Sequence, residues 1–431
     1  MKELSFLFDA KKPVRALVLG DLMLDKYTTG TIKRISPEAP VTILNVEKKE
    51  VRPGGAGNVV LNLLALKAEV TVLGRLGFDE EGKELFSSLR SKGAAVFSLI
   101  RQKAYPTTAK NRLIASSQQL IRIDSEKILP LPLRLEKKVL AFLKILIPQM
   151  QVVAISDYGK GFLTCSILQE ALRLCRFYKV PAIVDPKGAD FTKYAGAFIL
   201  KPNQQEAYLA AKKPFSAALE EVAEKLLDDS KVQKLLITRS EAGMTLFSRE
   251  KSDPGRKLHR QDFPVLSKEV KDVTGAGDTA LAALAVCIAN GLDLAEGIKL
   301  ANLAAGLAIE KLGCAVVTLA DLAERLLEFE AKSKLFDQEH FYALGQVLKN
   351  KPYALLEVSS KAGMSVRLFR EIERLSKLNG KLLVYLKDKK PDGEFVRFLS
   401  NLPQVDFIVL KKSSVQKLKS RIRPLETVEI V

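Results

Sequence analysis

Residues 271–283 read KDVTGAGDTALAA. Two acids, Asp272 and Asp278, flank Thr274-Gly275-Ala276-Gly277, and the stretch from Thr279 to Ala289 is rich in Ala and Leu. That run predicts a buried helix. Glycines permit a tight turn and a close backbone approach to a ligand. The first N–H groups of a helix lack internal partners, and the helix dipole is positive there, so an anion is held without any lysine. Asp278 sits at the same place, where a carboxylate would repel a resident phosphate. The conflict resolves if the anion is a phosphoryl group in transit. Asp278 would then accept the proton of an attacking hydroxyl while backbone amides steady the moving group. An ordinary helix capped by an acid is the plain alternative.

Outward from this stretch, apolar β-branched runs alternate with helical patterns. ALVLGD (16–21), EVTVLGRLG (69–77), QVVAISDYG (151–159), PAIVDPKG (181–188), AFILKPN (197–203) and KLLITRSEAG (234–243) each read as a strand running into a loop. NVVLNLLAL (58–66), CSILQEALRLCRFY (165–178) and ALEEVAEKLLDD (218–229) read as helices. The alternation predicts an α/β domain with a doubly wound, mostly parallel sheet. Ligands on such sheets bind at the carboxyl ends of the strands. Two stretches, 28–55 and 107–124, read as short strands without helices between them, a small β lid over the main sheet. A boundary is expected near 328, with a linker at 329–345. A smaller α/β unit at 346–431 would be built on KPYALLEVS, KLLVYLKD and VDFIVLKK.

Two further motifs carry chemistry. In RPGGAGNVVLNLLAL (52–66), Gly54, Gly55 and Gly57 precede Asn58 at a helix entry. Asn offers a donor and an acceptor to a sugar hydroxyl, although a plain turn into a helix gives the same pattern. In KPNQQEA (201–207), Asn203 and Glu206 would share one face of a helix start. One amide and one carboxylate suit a water-rich Mg²⁺, and they equally suit a capping box. The stretch GFDEEGKE (77–84) nearly spells a P-loop, but Glu84 stands where Ser or Thr is required and three acids would oppose a triphosphate. It reads as a turn and a helix start.

The chain has 431 residues, 47% of them apolar, enough for two cores. No apolar run reaches membrane-span length and the N-terminus lacks a signal-peptide pattern, so a cytoplasmic protein without membrane insertion is expected. Four scattered cysteines (Cys165, Cys175, Cys287, Cys314) read as reduced and structural. His259 and His340 are the only histidines, which argues against a zinc site or a Ser-His-Asp triad. The net charge of +18 favours anionic ligands without choosing among them. No aromatic-studded basic strand or helix-turn-helix pattern supports a nucleic-acid partner.

The blocks GDLMLDKY (20–27), RISPEAPV (34–41), RPGGAGNV (52–59), QQLIRID (118–124), SDYGKG (156–161), DPKGADF (185–191), KPNQQE (201–206), ITRSEAGM (237–244) and DVTGAGDT (272–279) resemble the PfkB/ribokinase family of sugar kinases. They are most similar to the kinase half of the bifunctional heptose-phosphate kinase/ADP-heptose synthase family, over roughly residues 12–325. The resemblance implies a ribokinase-like fold and phosphorylation by ATP of the anomeric hydroxyl of a heptose 7-phosphate, on the route to the lipopolysaccharide core. It implies Asp278 as base, with Gly275, Ala276 and Gly277 as the anion hole, and Asp21, Gly54, Gly55 and Asn58 on sugar hydroxyls. Asn203 and Glu206 would organise Mg²⁺ and the phosphates. Thr238, Arg239 and Gly243 would lie by the nucleotide, with Asn302 near the adenine. Lys110, Arg112 and Arg122 on the lid, with Lys160 and Lys187, become candidates for the sugar phosphate or ATP phosphates; each also reads as a solvated surface cation. Asp272 would position the loop or a monovalent cation, and a homodimer would form through the lid.

The resemblance weakens after residue 345. A His-x-Gly-His helix start is expected there, but SKAGMSVRLFREIERL (360–375) has Ala362-Gly363-Met364, and no histidine follows His340. A shortened, degenerate nucleotidyltransferase-like domain without transferase chemistry is the expectation. A kinase for another sugar and a catalytically silent interaction protein are the alternatives.

Overall fold

The computed structural model describes residues 13–115, 118–249, 257–265, 270–311, 313, 316–330, 334–336, 344–345, 348, 351–388, 391–410 and 412–430. Internal contacts divide the chain into a unit spanning Lys12–Val317 and a second that includes Thr318–Val431. The helix Leu319–Glu330 therefore groups with the second unit, not with the first as the boundary at 328 would have it. The expected linker, 329–345, falls largely outside the described residues, as do His340 and Cys314.

The first unit contains β1 (Arg15–Gly20), β2 (Leu22–Ile35), β3 (Thr42–Gly55), β4 (Glu69–Leu76), β5 (Ile100–Arg101), β6 (Thr108–Ala115), β7 (Gln118–Ser125), β8 (Val152–Ser156), β9 (Ala182–Asp185), β10 (Ile199–Leu200), β11 (Lys234–Thr238), β12 (Met244–Arg249) and β13 (Leu258–Phe263). Nine of them form one sheet in the order β13-β12-β11-β10-β9-β8-β1-β4-β5. From β11 to β5 every pairing is parallel, and β12 and β13 add an antiparallel edge. Strands covered on both faces read as continuous apolar runs. VVAIS of β8 is buried throughout, and RALVLG of β1 is buried after its first residue.

On one face the helices Leu133–Leu146, Cys165–Phe177 and Leu219–Ser230 close a core with Leu17, Leu19, Val153, Ile155 and Leu235. The helix Ala276–Ala289 packs against β8, β9 and the helices Ala56–Ala65 and Leu294–Ile309. It is buried on all sides from Asp278 to Cys287, which is why its sequence is almost wholly small and apolar.

The strand order places a topological switch between β1 and β8. From β1 the chain builds outward to β4 on one side and later returns to β8 on the other. The crevice beyond the carboxyl ends of those two strands is the expected ligand site. It is flanked by Asp21, which follows β1, and by Asp157 and Tyr158, which follow β8.

The lid is a separate four-stranded sheet, β3-β2-β6-β7. Its strands cover the expected stretches 28–55 and 107–124 and begin earlier, because β2 starts at Leu22 directly after β1, while β3 ends at the helix entry at Gly55. A side chain at Gly54 would put a Cβ 2.0 Å from Asp25 Oδ2, so the glycine leaves the Asp25 carboxylate its place beside β3.

The second unit is a five-stranded, all-parallel sheet ordered β14 (Leu335–Phe336), β17 (Phe407–Val409), β16 (Lys381–Leu386), β15 (Tyr353–Val358), β18 (Thr427–Ile430). Leu356, Val384 and Ile408 from its strands pack with Leu368, Ile372 and Leu399 from its helices. Among the described residues no helix is long and apolar enough to cross a membrane.

Candidate active site

Gly275 caps the helix Ala276–Ala289 in the left-handed region, at φ 81°. That conformation turns the chain so that Asp278 enters the first helical turn facing inward, 3% exposed. Asn58 Nδ2 donates to Asp278 Oδ2 at 3.0 Å, and the Tyr158 hydroxyl donates to Oδ1 at 3.0 Å. Asn58 is itself held, because Asn62 Nδ2 donates to its side-chain oxygen at 3.2 Å and its carbonyl at 3.0 Å. The Val317 amide donates to Asn62 Oδ1 and completes the chain. Burial pushes the Asp278 carboxyl up to about 7; the bonds from Asn58 and Tyr158 and the charge of Lys201 pull it down, while the charge of Asp185 adds to the rise. A carboxyl in that range is suited to exchange a proton at neutral pH.

Beside it lies a cleft of about 270 Å³, lined by Asp157, Tyr158, Asp185, Lys187, Lys201, Asn203, Glu206, Thr238 and Gly277. Lys201 is 2% exposed and its Nζ lies 3.0 Å from Asp185 Oδ2. Burial raises the Asp185 carboxyl, opposed by Lys201. Asp157, also buried, accepts from Tyr194 Oη (2.6 Å), Lys193 Nζ (2.8 Å) and the Gly159 amide (2.7 Å), which fixes the loop after β8. Asp21 Oδ2 accepts from the amides of Tyr158 (2.9 Å) and Lys160 (3.1 Å). Burial and the charge of Asp157 hold the Asp21 carboxyl above its ordinary value, against those two bonds and Arg75.

The structure brings Asp21, Asn58, Gly277 and Asp278 together with the cleft residues Asn203, Glu206, Thr238 and Lys187, and several of the expected site groups have partners within the chain. Ala276 N, one of the expected anion-binding amides, donates to Val273 O at 3.3 Å. Asn58 is fully buried, and its side-chain amide is engaged by Asp278 and Asn62. Asn203 and Glu206 form the reciprocal capping box of the helix Gln204–Ala211, and Lys187 Nζ reaches Glu206 Oε1 at 2.7 Å. Arg239 is drawn to Thr245 and Asp262 at the sheet edge. Asn302 is buried and donates to the carbonyls of Phe263 and Pro264. Gly243 is at φ +81°, at the turn into β12.

The three candidate cations of the lid, Lys110, Arg112 and Arg122, each have a carboxylate partner. Arg112 Nη1 meets Asp25 Oδ1 at 2.5 Å, and Arg122 makes a two-point bond to Asp124. Lys110 lies 3.4 Å from Asp124 and 3.7 Å from Glu126, and Lys160 lies 2.7 Å from Glu126. Asp272 pins its loop, accepting from the amides of Thr274 and Gly313, both at 2.9 Å. The near-P-loop is a helix start: Asp79 caps Gly82 N and accepts from Thr107. Tyr158, Lys201, Asp185, Asp157 and Asn62 were not singled out from sequence. Four of them lie at strand ends within or beside quoted blocks, but only the strand order shows that they converge.

The cleft offers oxygen donors from Asp185, Glu206 and Asn203 beside Lys187 and Lys201. Among the described residues no three His, Cys, Asp or Glu side chains form a metal-holding group. Such a donor set fits a metal that keeps waters and phosphate oxygens in its shell, which is the habit of Mg²⁺.

In the second unit, the turn after β15 meets a carboxylate of its own chain. Asp388 accepts from Ser359 Oγ at 2.9 Å and the Ser360 amide at 2.5 Å.

Residues 16–322 match the model of the pfkB family carbohydrate kinases. The chain is 42% identical over 342 residues to the bifunctional protein HldE of Geotalea uraniireducens (strain Rf4), covering 78% of this chain and 68% of that one. It is 35% identical over 433 residues to the bifunctional protein HldE of Desulfatibacillum aliphaticivorans, covering 95% and 86%. Among solved structures it is similar to Arabidopsis thaliana ribokinase complexed with ribose and ATP, with a TM-score of 0.56 at 20% identity over 73% of this chain and 99% of that one.

Proposed function

The chain belongs to the pfkB family of carbohydrate kinases, and from that premise we propose that it transfers the γ-phosphoryl group of ATP to the anomeric hydroxyl of a heptose 7-phosphate, giving the 1,7-bisphosphate used in ADP-heptose and lipopolysaccharide core synthesis. The observation that carries this reading is the buried Asp278, bonded to Asn58 at the mouth of a glycine-hinged helix and beside a cleft that holds a buried lysine. The similarity to HldE proteins and the ordered sequence blocks favour a heptose over another sugar.

In this reading the sugar lies between Asp21, the Gly54–Gly55 turn and Asp278. Asp278 accepts the proton of the C1 hydroxyl as its oxygen attacks phosphorus, and the bond to the ADP oxygen breaks on the opposite side. Charge spreads over the transferring phosphoryl oxygens, where Lys201 and the Gly277 amide supply compensation. Asn203, Glu206 and Asp185 would hold Mg²⁺, which when bound neutralises the β- and γ-phosphate oxygens. Thr238 and the Gly243 turn line the nucleotide side. The sugar's own phosphate competes with Glu126 for Lys110 and Lys160, so substrate takes over cations that the free protein balances internally. Asp272 holds the glycine loop and would be the residue to help hold a monovalent cation there.

The second unit keeps a nucleotidyltransferase-like sheet without adenylyl transfer. What supports this is the absence of imidazole at Ala362-Gly363-Met364 and the carboxylate of Asp388 on the turn where phosphate charge would have to rest. Two chains pair through their lids, supported by Ile35, Val46, Ile121 and Ile123, which stand 49–67% exposed. The enzyme works in the cytoplasm, with its ATP.

ADP release measured over a panel of sugar phosphates tests the assignment. Heptose 7-phosphate should be turned over with the highest kcat/KM; a higher value for a hexose or pentose phosphate would replace it.

A further inference from the structure

We propose that Tyr158 is a positioning residue for phosphoryl transfer, whose phenol holds Oδ1 of Asp278 so that the carboxylate faces the sugar hydroxyl. The inference rests on the reading of Asp278 as the base. A carboxylate tethered at one oxygen still turns about its Cβ–Cγ bond. Here Asn58 takes Oδ2 and Tyr158 takes Oδ1, each at 3.0 Å, so both ends of the group are fixed. An oxygen of a carboxylate accepts more than one hydrogen bond, and Oδ1 therefore keeps capacity for the substrate.

The loop that carries Tyr158 is built to hold still. The Tyr158 amide is bonded to Asp21 Oδ2, and so is the Lys160 amide. Asp157 takes the Gly159 amide from below. Arg75 Nη2 donates to the Lys160 carbonyl at 2.6 Å, from a side chain that is 1% exposed and lies 3.8 Å over the Tyr105 ring. Asp21 thus links the sugar side of the crevice to the loop whose tyrosine orients the base. A shift of substrate against Asp21 is transmitted to the phenol through one backbone amide.

The charged surroundings of Asp278 come from four directions. The helix Ala56–Ala65 offers only the neutral Asn58, the end of β8 offers Asp157 and Tyr158, β9 offers Asp185, and the segment after β10 offers Lys201. On the helix Leu294–Ile309, Glu296 and Lys299 pair with each other. Of these groups Tyr158 is the neutral donor on Oδ1. Its bond favours the ionised carboxylate, so its loss makes Asp278 hold its proton to higher pH.

The test compares Tyr158→Phe and Asp278→Asn with the wild type, using ATP and heptose 7-phosphate, across pH. Tyr158→Phe keeps the ring and should fold with an unchanged circular dichroism spectrum. Its kcat should fall ~10-fold or more, the scale of one lost bond to a charged group. Its KM for ATP should change less than twofold, and the acid limb of its pH–rate profile should move to higher pH. An acid limb at the wild-type position in Tyr158→Phe, with Asp278→Asn inactive, overturns the role of Tyr158 and leaves the base in place. Full activity in Asp278→Asn overturns the underlying reading instead.

Discussion

Asn58 and Asp278 are 220 residues apart in sequence and share a 3.0 Å hydrogen bond in the buried floor of the site. The two glycine turns of the chain are therefore two walls of one structure, and the amide of one sets the carboxylate of the other. Asn58→Leu removes the donor and leaves Oδ2 buried without a partner. We expect kcat to fall ~10- to 100-fold, since a hydrogen bond to a charged group contributes roughly 1.5–3 kcal/mol. Steady-state kinetics checks this, and an unchanged kcat would detach Asn58 from the mechanism.

Asp278→Asn is nearly isosteric and keeps an oxygen for Asn58 or Tyr158 to donate to. Substrate binding should persist, within a few-fold by calorimetry, while turnover falls ~100-fold or more, the scale of general-base catalysis. Loss of binding together with turnover would instead mean that Asp278 serves to hold the sugar.

Arg75 is the largest buried cation of the sheet, and its guanidinium serves Gln102 Oε1, the Leu129 carbonyl and the Lys160 carbonyl. Burial lowers its proton affinity, countered by Tyr105 and Asp21. Arg75→Met leaves those acceptors without their donor, so destabilisation of ~3 kcal/mol or more is expected in urea unfolding. Arg75→Lys should lie between, since one ammonium cannot match the planar fork.

The lid prediction concerns assembly. Ile121 and Ile123 on β7 are 56% and 49% exposed, on a strand whose other residues are largely polar. The double substitution Ile121→Glu/Ile123→Glu should convert a sedimenting dimer into a monomer at the same protein concentration. A wild type that sediments as a monomer at micromolar concentration would remove the pairing from the proposal.

The sheet of the first unit is legible in the sequence because parallel strands buried on both faces need unbroken apolar runs, as VVAIS and ALVLG show. β18 is not, because TVEI is short and alternates, and only pairing with β15 makes it a strand. The glycine turns are legible because backbone freedom has one residue type that supplies it. Their adjacency is not, since nothing local relates Asn58 to Asp278. The lid cations illustrate the harder case. Arg112 reads as available for phosphate until the parallel pairing of β2 with β6 sets Lys110 opposite Asp25 and brings Asp25 within reach of Arg112. Tyr158, Asp185 and Lys201 lie at the ends of three different strands, and only the order β10-β9-β8 assembles them.

The pH dependence follows from burial of Asp278, whose carboxyl is pushed from an ordinary 3.8 up to about 7. As a base it must be ionised, so kcat/KM should rise as pH increases through that region. ATP and sugar phosphate ionise in the same range, but they do so equally for every variant, so the difference between wild type and Asp278→Glu isolates the protein group. Stability runs the opposite way. The folded state binds this proton more tightly than the unfolded chain, so the contribution is fully present below the ordinary carboxylate value and is lost as pH rises through about 7. Asp278→Asn abolishes that loss. Its melting temperature relative to wild type should therefore be higher at pH 8 than at pH 5, as thermal unfolding at the two pH values would show. A difference that stays constant between them would mean that Asp278 is ionised across the range and that the rise in kcat/KM belongs to the substrates.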